Sequence, residues 1–461
     1  MNTIENRSFY RRVLALAIPI LIQQSITNFV SLLDNLMVGQ LGTLPMSGVS
    51  IANQLIFIFN LISFGVNGGT GIFTAQFYGS GDEQGVRYTF RFKVILSVLM
   101  AVLCIGIFTL WDDVLIRLFL QGEGEAAEAE QMLEYGREYL KIMLIGLIPF
   151  TLSSSYASTL RECGESKVPM VASVSAVVTN LILNYLLIFG HLGLPAMGVQ
   201  GAAVATVISR FVELGIVAGW THTHVHRFAF IKGAYHSVYI PGKLIGQFAI
   251  RVSPLVINET LWSIAVTTIN QSYTVCGLEV VNAINILGTI DNLSNVGGIS
   301  VGNTIGILMG QMIGAKASKE DIQQESRRMM RFSTIVSIVT SAFLVAVAKG
   351  FPMLYNTTDS IRGISTSLIL VMALGKPFRF YCLSVYYTIR SGGRTWITFL
   401  YDCVFLWTMA VPLAFILSRY TDLEIIPIYA ICQIPEIFKA ALGARMLHTG
   451  SWIQNLTERK Q

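Results

Sequence analysis

Charge is what this chain has least of. Asp, Glu, Lys and Arg make up only 13% of its 461 residues, where a soluble domain carries about a quarter. Its six cysteines are scattered and none forms a Cys-x-x-Cys, so neither a disulfide framework nor a zinc site is suggested. The net charge of +5 is modest, and the basic residues lie where a membrane protein places them, so no nucleic-acid partner is implied. No His-Glu-x-x-His occurs and no metal-ligand cluster falls in the apolar segments. An intramembrane enzyme is therefore unsupported, and no cofactor is expected. No repeated filter-like segment suggests a channel. Arg7, Arg11 and Arg12 precede a first apolar stretch without a small-residue cleavage site, so that stretch is expected to be a retained helix.

What the chain has is apolar length. Hydrophobic residues make up 53%, and the mean hydropathy is +0.60. Runs long enough to cross a bilayer recur from end to end, at 13–33, 46–72, 94–111, 138–160, 168–190, 199–220, 244–275, 283–312, 332–350, 365–389, 396–417 and 425–447. Each approaches the roughly 20 residues that a spanning helix needs. The expected fold is an all-α integral membrane protein of twelve transmembrane helices, with the connectors holding most of the charge, glycine and proline.

The chain also repeats itself. At a fixed offset of 235 residues Pro19 falls on Pro254, Asn60 on Asn295, Gly71 on Gly306, Gln76 on Gln311 and Gly79 on Gly314. A second echo sets Thr159-Leu160-Arg161 against Thr388-Ile389-Arg390. Two diverged halves in a very apolar chain point to a transporter whose substrate binds between them. The halves are read as 1–220 and 244–461, joined by a cytoplasmic, loop-like linker at 221–243. With the N-terminus inside, 22 of the 32 Lys and Arg fall in cytoplasmic segments. Both termini are therefore expected in the cytoplasm. Six spans per half make the halves run parallel, related by a pseudo-two-fold axis along the membrane normal. His222, His224 and His226 in the linker are weak evidence for a metal, and the acidic stretch Glu123–Glu134 reads as a solvated outer loop and helix start.

Polar groups inside spans mark function, because hydrocarbon does not solvate them. The first span holds Gln24, Asn28 and Asp34, with Thr27, Ser31 and Asp34 on one helical face. A buried Asp34 is placed to gain and lose a proton. The fifth span brings Asn180 and Asn184 one turn apart, and the sixth brings Thr206. In the second half stand Glu259 beside Asn258, Asp291 beside Asn292, and Lys376 with Arg379 around Pro377. The two acids and two bases either line a substrate cavity or pair with one another. Arg210–Glu213 and Glu436–Lys439 have i, i+3 spacing and read as structural pairs. Pro19 and Pro254 occupy matching places and are candidate hinges.

Several segments resemble the multidrug and toxic compound extrusion (MATE) family of prokaryotes. They are Val38-Gly39-Gln40-Leu41-Gly42 after Asp34, Leu160-Arg161 with Gly164, Asn180 through Gly190, Gly198 through Thr206, Ile389 through Gly393 and Trp407 through Pro412. The resemblance implies two six-helix lobes, a V-shaped cavity and export of small molecules against inward flow of protons or sodium. It implies a cation site at positions matching Asp34, Asn180 and Thr206. Where members with that site place a second Asp, this chain has Asn184, which removes a charge and turns the expectation from sodium towards the proton. Glu259 matches a seventh-helix carboxylate of another branch, but the tenth-helix Asp that accompanies it there is replaced by the neighbourhood of Lys376 and Arg379. That basic pair suggests an anionic or zwitterionic substrate, unless Glu259 or Asp291 neutralises it. The expected protein is a proton-coupled multidrug antiporter, a monomer in a prokaryotic plasma membrane. The alternatives are a sodium-coupled exporter and a lipid-linked precursor flippase.

Overall fold

The computed structural model describes residues 3–120 and 126–457. Twelve helices in it are long and apolar enough to span a membrane. In chain order they are α1 (Thr3–Gly39), α2 (Thr43–Gly79), α3 (Glu83–Leu110), α4 (Ala126–Glu162), α5 (Lys167–Phe189), α6 (Gly198–Thr223), α7 (Gly242–Thr274), α8 (Leu278–Gly314), α9 (Lys319–Val347), α10 (Asp359–Ser391), α11 (Thr395–Tyr420) and α12 (Ile425–Thr449). A short helix, Asp112–Leu120, lies between α3 and α4. Most of the spans exceed the apolar runs because polar first and last turns continue the helix past the hydrocarbon. A 37-residue helix such as α2 is about 55 Å long, against about 30 Å of bilayer core. Arg459, Lys460 and positions 123–125 of the acidic stretch lie outside the described residues.

The repeat seen in sequence is a repeat of helices. The 235-residue offset carries Thr43–Gly79 onto Leu278–Gly314 end to end, and the end of α1 at Gly39 onto the end of α7 at Thr274. The α3 and α9 starts are built alike as well. Asp82 accepts from the Gly85 N–H at 2.8 Å and Ser318 from the Asp321 N–H at 3.1 Å, so each side chain caps the orphan donors of its first turn.

The chain divides into two compact units. One comprises residues up to Thr74 with Asp82–Gln247, the other Ala75–Gly81 with Phe248–Gln461. The first is held around Leu55, Phe59, Ile116, Leu133, Leu140 and Ala203. Close approach there depends on small residues. A Cβ at Gly201 would meet the Leu187 carbonyl, and one at Gly48 the Met132 carbonyl. The second unit packs around Ile290, Leu344, Leu368, Ile369 and Ile428.

Residues 224–241 are tied down on the first unit. Arg87 donates to the carbonyls of Ala229 and Phe230, each at 3.1 Å. Arg91 donates to those of Ala234, Gly233 and Tyr239 at 2.7, 2.7 and 3.0 Å. The histidines diverge: His222 meets Tyr156 Oη at 2.9 Å, while His224 stacks on Trp220.

Prolines inside helices cost an N–H and free the carbonyl four residues back. Pro19 frees the Ala15 carbonyl, which accepts from Ser166 Oγ at 3.1 Å. Pro377 frees that of Ala373, which accepts from Ser341 Oγ at 2.7 Å. Both hydroxyls satisfy backbone groups that hydrocarbon leaves unsolvated.

Lys93 corrects the sequence reading, which placed it in a connector just ahead of a span. It lies within α3, fully buried, and its Nζ donates to Glu162 at 2.8 Å, Ser158 Oγ at 2.9 Å and Thr159 Oγ1 at 3.2 Å. Removing one member of such a pair leaves a buried charge alone. Lys93→Met or Glu162→Gln should each lower stability by about 3–5 kcal/mol, and the double Lys93→Met, Glu162→Met should recover most of it. Unfolding in detergent followed by circular dichroism would check this, and single variants as stable as the wild type would refute it.

Candidate functional site

Four of the first-half residues selected from sequence converge. Asp34 comes from α1, Asn180 and Asn184 from α5, and Thr206 from α6. The helical spacing of Asn180 and Asn184 turns both carboxamides to one side, and both are buried. Asn184 Nδ2 donates to Asp34 Oδ1 at 2.5 Å. With its amino group turned to the carboxylate, Asn180 donates to the two Asp34 oxygens at 2.9 and 3.1 Å and accepts from Thr206 Oγ1 at 3.1 Å. Asn184 Oδ1 is buried without a partner among the described residues. Tyr139, Asn53 and Arg210 border this group. Arg210 is engaged elsewhere, 3.5 Å from Glu213 and 4.7 Å above the Phe150 ring. A small cleft lined by Asn60, Phe150, Thr206 and Arg210 among others runs alongside.

Gln24 and Asn28 lie half-buried on α1, and no hydrogen bond joins either to Asp34 among the described residues. Ser31 Oγ returns its proton to the Thr27 carbonyl at 3.0 Å. Pro19 lies on α1 too, about 22 Å along the axis from Asp34.

The second-half residues form two separate groups. Asp291 binds both bases of α10: Lys376 Nζ at 2.6 Å and Arg379 at 3.2 Å. Asn295 completes the group, donating to Asp291 at 3.1 Å and accepting from Lys376 at 2.9 Å. Of the two carboxylates considered from sequence, Asp291 therefore meets the basic pair. Glu259 belongs to the other group, where its Oε1 accepts from Tyr386 Oη at 2.9 Å. Beside it Asn258 donates to Asp402 at 3.1 Å, and Lys439 meets Asp402 at 2.8 Å.

That last contact is a second correction. The expected partner of Lys439 is Glu436, three residues away, but its ion pair crosses to Asp402 on α11. There α11 widens into π-helical turns at Leu400–Val404 and Leu406–Ala410, a distortion that often marks function. Asp402 itself went unselected, although a lone carboxylate inside an apolar run is a legible signal. Gly298-Ile299-Ser300-Val301-Gly302 has a Gly-x-Ser-x-Gly spacing. It lies in mid-helix with Ser300 fully buried and donating to the Val296 carbonyl, so no strand-to-helix elbow exposes a nucleophile.

The MatE family model matches residues 19–186 and 255–416. The chain belongs to the MatE family. This is a family of transporters, not enzymes. A probable multidrug resistance protein NorM of Thermotoga maritima is 25% identical over 96% of this chain and 93% of its own. A probable multidrug resistance protein YoeA of Bacillus subtilis is 24% identical over 98% and 95%. Among solved structures, an outward-facing multidrug resistance MATE family transporter of the MOP superfamily superposes with a TM-score of 0.85 at 20% identity, covering 95% of this chain and 96% of its own. A MOP superfamily transporter from Pyrococcus furiosus superposes with a TM-score of 0.85 at 19% identity, covering 95% of each chain. The all-helical fold of twelve spans is thus the fold of this family.

The Asp34 group has one carboxylate and two carboxamides. Asn184→Asp should add a second carboxylate and raise sodium affinity about tenfold or more. Titration calorimetry of the purified variant would check this, and an affinity equal to wild type would show that charge at position 184 does not set cation choice.

Proposed function

We propose that this MatE-family chain is a multidrug exporter, a secondary antiporter driven by proton entry, working by alternating access in a prokaryotic plasma membrane with both termini in the cytoplasm. One observation carries the proton reading. Among the described residues, Asp34 is held by neutral amides and has no cation within ion-pair distance. Three other carboxylates of the spanning helices are pinned by fixed cations, Glu162 by Lys93, Asp291 by Lys376 and Arg379, and Asp402 by Lys439, while Glu259, like Asp34, has a neutral partner, the Tyr386 hydroxyl. A fixed cation serves only the charged form. A carboxamide serves both, offering N–H to a carboxylate and oxygen to a carboxylic acid. The unpartnered Asn184 Oδ1 is such an acceptor.

The cycle begins with substrate captured from the cytoplasmic side and released outside. Protonation of Asp34 then breaks its present amide bonds and favours the return. Pro19, whose freed Ala15 carbonyl accepts from Ser166, supplies a point about which α1 can bend. A proton moving down 100 mV yields about 2.3 kcal/mol and each pH unit adds about 1.4, enough to sustain a substrate gradient of more than a decade. The multidrug character rests on the names carried by the NorM and YoeA relatives.

The test is dye efflux from proteoliposomes under separately imposed pH and sodium gradients. A pH gradient should drive transport in the wild type, and Asp34→Asn should reduce the rate at least about tenfold. Transport driven by sodium alone, or indifferent to Asp34→Asn, would defeat the reading.

A further inference from the structure

The charges of α8 and α10 differ in how far they reach into solvent. Lys376 is fully buried, the Asp291 side chain is 20% exposed and that of Arg379 is 37% exposed. Lys376 spends its ammonium on Asp291 and Asn295. Arg379 reaches Asp291 through Nη1 alone, at 3.2 and 3.5 Å, which leaves the other edge of the guanidinium unspent on Asp291. Glu436 of α12 is the other carboxylate within electrostatic range of Arg379, but it shares no ion pair with it.

The face of α8 next to Asp291 is polar where a membrane helix would normally be apolar. Asn285, Thr289 and Asn292 stand at i, i+4 and i+7 on one side. Both Asn side chains are exposed and without a hydrogen-bond partner among the described residues. At the matching place of the first repeat, α2 has Ser50, Gln54 and Phe57. Free carboxamides and a half-exposed guanidinium do not face hydrocarbon, so this side of the second unit faces water. The three α8 groups span about 10 Å along the axis, the length of a small drug-like molecule.

We propose that Arg379, Asn292 and Asn285 form a substrate-binding surface that prefers small molecules carrying a carboxylate or similar oxyanion beside hydroxyl or carbonyl groups. Arg379 takes the oxyanion through its free N–H edge. Asp291 and Lys376 hold the guanidinium in place and neutralise each other, so the surface presents a donor array with about one positive charge at its end. The carboxamides of Asn292 and Asn285 donate to and accept from the rest of the ligand. The inference rests on the exporter reading only in calling the ligand a substrate.

The test uses two dyes built on one xanthene ring system, anionic carboxyfluorescein and cationic tetramethylrhodamine methyl ester. Equilibrium binding to the purified full chain in nanodiscs is read by fluorescence anisotropy. Wild type should bind the anion more tightly. Arg379→Gln should weaken the anion about tenfold and leave the cation unchanged, Arg379→Lys should restore part of the loss, and Asn292→Ala should weaken the anion less than Arg379→Gln does. Stronger binding of the cation by wild type, no measurable binding of the anion, or equal losses for both dyes in Arg379→Gln would each overturn the proposal. Binding that behaves as expected without efflux from proteoliposomes would instead count against the exporter reading.

Discussion

Hydrocarbon offers no hydrogen bonds, and the rest of this structure follows from that. Every backbone polar group at membrane depth has to be satisfied within the protein, which is why the described spans are helical throughout. Where proline breaks the ladder, a serine hydroxyl repairs it, at Ala15 through Ser166 and at Ala373 through Ser341. The same constraint acts on charge. Lys93, Lys376 and Lys439 are buried, and each meets a carboxylate on a neighbouring helix of its own unit. These pairs need not add stability overall, since desolvation consumes much of what the attraction returns. They do fix which helices sit side by side, because a displaced partner would leave a lone charge in the core.

Against that background Asp34 is held by carboxamides where Asp291 and Asp402 are held by cations. A carboxamide offers a donor to a carboxylate and an acceptor to a carboxylic acid, whereas a fixed cation serves the carboxylate alone. The duplication makes the contrast sharper. At the 235-residue offset Asp34 falls on Ile269, while Glu259 falls on Gln24 and Asp291 on Ile56. The two halves share their helices and matched glycines, Gly71 with Gly306 and Gly79 with Gly314, but not one of these three carboxylates. Chemistry was therefore laid onto a common frame independently in each half, and the second half is not a copy of the first site.

Much of this was legible in the sequence because hydropathy and helical spacing are local properties. The twelve spans, the repeat and the shared face of Asn180 and Asn184 need no knowledge of neighbours. The convergence on Asp34 was legible through family resemblance. The failures were of another kind. Lys93 looked like the end of a connector, since a lysine beside an apolar run ordinarily marks the interface. Lys439 was assigned to Glu436 because an i, i+3 spacing is visible in one dimension and a contact with Asp402, 37 residues earlier, is not.

The sequence by itself determined that this is a membrane protein of two repeated halves, because a bilayer imposes length and polarity on each helix separately. Only the tertiary structure decided which charges cancel and which remain available. Asp291 rather than Glu259 neutralises Lys376, and Arg379 keeps an edge free. Pairing of charges depends on distances of a few ångströms between different helices, and nothing in the order of residues along the chain encodes those distances directly.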